Sequence, residues 1–254
     1  MDTNTPETRN GLRKAMSRVL DLVYPPECAL CSAGLQDGEA LCDACRDALP
    51  RLTDPFCETC GEAFDGKISG PFSCPNCSDL NFSFEFARPA LVRDDRTLDL
   101  VHRLKYSREI HLARELGSLA AEAFQDPRLE PALKDDWTLV PVPLHRSRLR
   151  HRYFNQAAEI TRVLSARTGL PWIEALSRTR RTDTQTMLSR KQRMDNLRGA
   201  FSINRRGAKW ISNKPKGALI VDDVLTTGST VNECAKTLRK AGVKHIAVIT
   251  VMRG

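Results

Sequence analysis

Two adjacent carboxylates, Asp222 and Asp223, close the apolar run ALIV at residues 218–221 and stand just before the turn-forming string Thr226-Thr227-Gly228-Ser229-Thr230. The run reads as a buried strand, and the segment STVNECAKTLRKAG after it reads as a helix. Where a strand feeds a helix through such a turn, backbone N–H groups and hydroxyls converge on one point, and the helix N-terminus favours an anion there. Gly228 permits a positive φ and close backbone approach. Carboxylates repel a bound phosphate, but they accept hydrogen bonds from a pair of vicinal hydroxyls. A sugar phosphate answers both halves of the pattern. The turn lacks the Gly-Lys-Ser/Thr ending of a Walker loop, and the chain has no G-x-G-x-x-G. A plain helix cap preceded by surface acids is the bland alternative.

A second chemistry lies before residue 80. Eight of nine cysteines form four C-x-x-C pairs: Cys28/Cys31, Cys42/Cys45, Cys57/Cys60 and Cys74/Cys77. Each pair presents two thiolates from one tight turn, so four pairs make two Cys₄ sites, the donor set of structural zinc with no open position for substrate. Sequential closure, first pair with second and third with fourth, is favoured by the short loops between them; a cross-braced arrangement is the alternative. A disulfide scaffold would suit an exported protein. The N-terminus has Asp2 and Glu7 before any apolar run, unlike an export signal, and the apolar stretches are too short and charged to span a bilayer. The expectation is a cytoplasmic zinc protein with no membrane segment. Cys234 stands alone on a helix and reads as a core residue.

Charge divides the chain at the same place. Residues 1–85 hold 7 basic and 14 acidic residues, whereas residues 145–214 hold 17 basic and 4 acidic. The second stretch is the expected contact for an anion, phosphates or a nucleic-acid strand. Arg146, Arg148, Arg150 and Arg152 follow the strand WTLVPVP and precede a helix with Asn155 at its cap, a position that suits contact with an anion. His145 and His151 are set aside as bystanders. Tyr153, Phe154, Trp172, Phe201 and Trp210 give only moderate support for base stacking.

These groups need a frame. Leu12, Met16, Val19, Leu20 and Val23 recur at helical spacing, so residues 1–25 are read as an amphipathic leader, 26–85 as the double knuckle module and 86–254 as the main domain. SDLNFSFEFARPA alternates like a strand entering that domain. Strands are then expected at ARPALVRD, WTLVPVP, GALIVDD and KHIAVITVMR. Helices are expected at TLDLVHRLKYS, HLARELGSLAAEAFQ, NQAAEITRVLSART and STVNECAKTLRKAG. The alternation predicts an α/β fold with a mainly parallel sheet flanked by helices. Ser177 to Arg198 has no sustained apolar face and reads as a long loop or hairpin over the site, with Arg190, Lys191 and Arg193 placed to close on it.

The string VDDVLTTGST closely resembles the phosphoribosyl pyrophosphate (PRPP) signature of type I phosphoribosyltransferases. Together with LVPVPLHRSRLRHRYFNQA, TQTMLSRKQRMDNLRGAF and the paired knuckles after YPPECALC, it resembles the ComF family of competence-associated, amidophosphoribosyltransferase-like proteins over nearly the whole chain. Tyr153 departs from the Gly or Arg that many members carry before Phe-Asn-Gln. The resemblance implies a type I phosphoribosyltransferase fold behind a double zinc ribbon, and a glycosyltransferase-class activity linked to DNA uptake or nucleotide metabolism. It also implies roles. Asp222 and Asp223 would hold the ribose hydroxyls, Thr226 to Thr230 the 5-phosphate, the four arginines the pyrophosphate with its magnesium, and Arg193 would act from the lid. The alternatives are a single-stranded DNA handler without turnover and an adaptor docking a competence helicase or another uptake component.

Overall fold

The computed structural model describes residues 26–36, 38–68, 70–78, 80–180 and 196–254. The expected leader helix, and the lid residues Arg190, Lys191 and Arg193, lie outside them. The chain divides between Leu49 and Pro50 into two compact units.

The larger unit is built on a parallel sheet of four strands: β1 (Ala87–Val92), β2 (Thr138–Pro141), β5 (Gly217–Leu225) and β6 (His245–Arg253), in the order β1-β6-β5-β2. A separate antiparallel pair, β3 (Leu176–Arg178) and β4 (Phe201–Ile203), flanks the segment 179–200. Residues 217–221 of β5 and 246–253 of β6 are all buried. Continuous apolar runs of this kind mark strands covered on both faces. The cover comes from helices. Leu112–Ala121 packs beside Gln156–Thr168, with Gly117 against Val163, where a Cβ would come within 2.6 Å of the valine Cβ. Ser229–Lys240 packs against β4, β5 and β6.

Three local readings change. β5 continues through Val224 and Leu225, which pair with Met252 and Arg253, so the two acids sit inside the paired length of the strand and not at its end. The strand expected from SDLNF begins only at Ala87: Phe82 and Phe84 stack at 4.8 Å, and the Ser83 N–H is taken by the Asn232 side chain at 2.7 Å instead of a strand neighbour. The basic run forms a short helix, Arg146–Arg152, capped by the supposed bystander His145, whose ring accepts the Ser147 N–H. Asn155 sits at the N-cap of the 156–168 helix, but its amide turns back and donates to the Val142 carbonyl at 3.0 Å.

Candidate functional site

The two cysteine clusters are built alike. At each first knuckle the cysteine N–H bonds the carbonyl five residues on, Cys28 to Ala33 and Cys57 to Glu62, both at 2.8 Å. A left-handed residue stands directly after the second cysteine of that knuckle, Ser32 (φ 58°) after Cys31 and Gly61 (φ 66°) after Cys60. The second knuckle then returns a backbone N–H to the first sulfur, Cys42 to Cys28 and Cys74 to Cys57. Two sequential tetrads result, Cys28/Cys31/Cys42/Cys45 and Cys57/Cys60/Cys74/Cys77, with all sulfurs of each within 4.8 Å of one another.

The tetrads fit a tetrahedral zinc ion. A Zn–S bond of about 2.3 Å places sulfurs about 3.8 Å apart, and Cys31–Cys42 and Cys60–Cys74 are both 3.7 Å apart. Within each tetrad the first thiol ionises most readily, at the expense of its neighbours: the adjacent sulfurs push Cys45 and Cys60 up, and burial pushes Cys77 up. A hydrogen bond from Cys60, then backbone N–H groups acting against burial, bring the Cys57 thiol down to about 4. Burial opposes ionisation of Cys28, but the N–H groups of Cys42, Leu30 and Cys31 outweigh it and lower that thiol to about 6. The tetrads differ in setting: Cys31 is exposed, whereas all four members of the second are buried within the core cluster that includes Val140, Ile220 and Val248.

The carboxyl edge of the sheet gathers the other predicted residues. β2 pairs with β5 as far as Pro141 opposite Val221, and the Val142 N–H then bonds the Val221 carbonyl at 2.9 Å, so Asp222 is the first residue of β5 past the end of β2, while on its other side β5 still pairs with β6. Asp222 Oδ1 accepts the Asp223 N–H at 3.0 Å. The turn follows directly: Gly228 adopts φ 75° with a prospective Cβ 3.3 Å from the Phe82 ring, and the Thr227 and Ser229 hydroxyls lie 2.8 Å apart at the start of the 229–240 helix. That helix has no side-chain cap at Gly228, which leaves its first N–H groups to the turn and to solvent or ligand.

Two cations belong to this edge that the sequence did not single out. Lys105 lies in a π-helical turn, Arg103–Ser107, and its Nζ reaches Asp223 Oδ1 at 2.9 Å. The turn is clamped by Arg103, which donates to both Glu109 oxygens at 2.9 and 2.7 Å. Arg178, at the end of β3, is half-buried. Burial and then the charge of Arg148 push its pKa down, while Cys234 and Asp222 act in the other direction. The four arginines spread apart: Arg146 lines a cleft of about 780 Å³ with Tyr153, Asn155, Arg178 and Asn204, Arg150 is exposed, and Arg152 stacks 5.0 Å from the Tyr106 ring. A π-turn breaks helical periodicity and often marks a functional position, but its signal in sequence is weak.

Burial, and then the neighbouring Asp223 charge, push Asp222 up to about 7, against the pull of Lys105 and Arg178. An unfolded-chain aspartate ionises near 3.9. The folded protein thus holds a proton that the unfolded chain has released, and it loses stability as pH rises from about 4 to about 7, with the full loss present above that. Asp222→Asn is expected to raise the melting temperature at pH 8, by about 1–3 kcal/mol of stability, and to change little at pH 4. Thermal unfolding of both proteins across that range checks it; an equal gain at both ends would deny the shift.

A parallel sheet carrying a phosphate-type turn and acid pair at its carboxyl edge, with a cysteine-ribbon module before it, defines a phosphoribosyltransferase-type domain with an N-terminal zinc ribbon. Residues 159–254 match the family described as Phosphoribosyl transferase domain, and residues 19–79 match Double zinc ribbon domain. The chain is 30% identical to Competence protein F of Haemophilus influenzae over 87% of its own length and 94% of the relative's. It is 32% identical to DNA utilization protein YhgH of Escherichia coli, over 91% and 99%. With Competence protein ComFC of Streptococcus pneumoniae it shares 23% identity over 78% and 87%. The chain belongs to the ComF family.

Proposed function

We propose that the site binds PRPP, or a closely related sugar phosphate, in a protein that serves DNA uptake or utilisation. The observation that carries this reading is the acid pair on β5 followed at once by the Gly228 turn. The turn's N–H groups and the hydroxyls of Thr226, Thr227, Ser229 and Thr230 would take the 5-phosphate, and the acids would take the ribose hydroxyls. An ionised carboxylate accepts about four hydrogen bonds. The contact from the Asp223 N–H to Asp222, and that from Lys105 to Asp223, therefore leave capacity on both. Lys105 also cancels one of the two negative charges, which lets an anion approach. Magnesium would arrive with the pyrophosphate, facing Arg146, Arg148, Arg150 and Arg152 and the lid residue Arg193.

In a transfer, the bond from C1 to the pyrophosphate oxygen breaks with its electron pair leaving on pyrophosphate, and a nucleophile bonds to C1. The side chains supply position and charge for the developing oxocarbenium. The names of the relatives, competence and DNA utilisation, support the wider role. Calorimetric titration with PRPP and magnesium, beside ribose 5-phosphate and pyrophosphate, tests the reading. Saturable binding of PRPP, tighter at pH 8 than at pH 6 as Asp222 ionises, is expected; no heat with any of the three would overturn it.

A second reading is supported by a surface that shares Tyr153 and Arg152 with the residues already described. Tyr106 and Tyr153 are 64% and 72% exposed, and each carries an arginine on its ring, Arg152 at 5.0 Å and Arg108 at 4.4 Å. Alternating aromatic and guanidinium faces suit a single strand of nucleic acid. Binding of an oligothymidylate should then weaken linearly on a log–log plot against salt, with a slope of about −0.7 per phosphate contacted. Tyr106→Ala with Tyr153→Ala should weaken it about 10-fold or more without altering the slope, since stacking carries no counterions.

A further inference from the structure

β6 ends in a buried arginine that belongs to neither predicted chemistry yet touches both. One Arg253 nitrogen donates to the carbonyls of Leu225 at 2.8 Å and Thr226 at 2.7 Å, the two residues that lead into the Gly228 turn. The other nitrogen of the same guanidinium pairs with Glu62 and lies 4.0 Å from the Cys60 sulfur. Gly254 adds its own N–H to the Leu225 carbonyl at 2.8 Å. Glu62 is tied in turn to the knuckle, because its carbonyl receives the Cys57 N–H. A planar guanidinium spans such a gap in one fixed geometry, which a flexible ammonium cannot do.

We propose that Arg253 is a positioning residue that couples the second cysteine tetrad to the phosphate-type turn, so that metal held by Cys57, Cys60, Cys74 and Cys77 and an anion held at residues 226–230 stabilise one another. The anion half rests on the sugar-phosphate reading of the turn; the metal half does not. Outer hydrogen bonds to metal ligands orient them and tighten the site, typically by about 10-fold or more. The same guanidinium fixes the carbonyls at the entry of the turn, and with them the direction of the N–H groups that follow. Coupling of this kind is reciprocal. The first tetrad, in the other compact unit, provides an internal control.

The test uses the full chain loaded with cobalt(II) in place of zinc, whose thiolate charge-transfer band reports the tetrads, and compares it with Arg253→Gln. In the variant, metal transfer to a chelator from the second tetrad should be about 10-fold faster, with the first unchanged. Hydrogen exchange at amides 226–230 in the ligand-free protein should rise by a similar factor. Ribose 5-phosphate should slow metal transfer from the second tetrad in the parent chain and not in the variant. Ile160→Val, a core change on the 156–168 helix, controls for general loosening and should move none of these. Unchanged metal transfer and exchange in Arg253→Gln, or the same changes in Ile160→Val, would overturn the coupling. If ribose 5-phosphate has no effect on the parent while the other two readouts move, the sugar-phosphate reading fails and the strut stands.

Discussion

Asp222→Asn combined with Asp223→Asn is expected to weaken PRPP binding by about 100-fold or more while the protein stays folded. Each amide keeps the shape of the carboxylate but halves its acceptor capacity and removes the charge that makes a hydroxyl hydrogen bond strong, and bonds to charged groups are worth about 1.5–3 kcal/mol each. The two changes act on the fold in opposite senses. The amide at position 222 relieves a desolvated carboxylate whose pKa is held up to about 7. The amide at position 223 strips Lys105 of its 2.9 Å ion-pair partner and leaves a largely buried ammonium without a counter-charge. Thermal unfolding beside the titration separates lost binding from lost structure. Unaltered affinity in a folded double variant would end the sugar-phosphate reading, because this pair supplies the hydroxyl acceptors on which it rests.

Cysteine replacement is expected to divide the two tetrads sharply. Cys60→Ser should unfold most of the Pro50–Gly254 unit, since its sulfur lies in the same core as β5 and β6. A structural zinc contributes roughly 10–16 kcal/mol in apparent terms, against a total domain stability of about 5–15 kcal/mol. Cys45→Ser should instead disorder its own knuckles and leave PRPP affinity within about 2-fold, because Cys45 belongs to the other compact unit. Circular dichroism, metal content and PRPP titration on the two variants check the contrast. The expected content of the parent is about two zinc per chain, one for each Cys₄ site. A folded, PRPP-binding Cys60→Ser protein would show that the second metal site is not needed for the fold.

What was legible in the sequence was whatever has a short period or a fixed spacing. The C-x-x-C pairs announce their chemistry because two thiolates on one turn leave few alternatives, and the short loops pointed to the sequential tetrads that the sulfurs form. β5, β6 and the 229–240 helix were readable because burial on both faces of a parallel strand leaves an unbroken apolar run. Lys105 was hidden inside TLDLVHRLKYS, where it fits the polar face of an ordinary helix. Only the π-turn, closed by the Arg103–Glu109 clamp, carries it to Asp223. Arg178 looked like one more member of a basic stretch, and it packs on the Phe201 ring across the β3–β4 pair, a contact with no local signature. The helix Arg205–Ser212 was missed because it is short and its inward face is Gly207, pressed against the Ala175 carbonyl, with Trp210 and Ile211 half-buried against the core. Eight residues with two adjacent apolar side chains are too few to announce a helical period.

The position of β6 in the sheet also sets an order of events during folding. It lies between β1 and β5, pairing Ala87 with Val248 and Gly217 with His245. On its other side β1 exchanges backbone hydrogen bonds with short segments and no strand among the described residues: Ala87 to the Thr59 carbonyl, Leu52 to the Ala90 carbonyl and Val92 to the Pro50 carbonyl. Its strand partner in the sheet begins at His245, near the far end of the sequence. Contacts of such long sequence separation are slow to form, because loop-closure entropy must be met before any pairing rewards it. The cysteine tetrads each close over a span of only about 20 residues, and they can form while later segments are still being synthesised. Until residues 245–253 are made, the inner edge of β1 has no strand beside it, and that interval exposes the chain to aggregation and to chaperones.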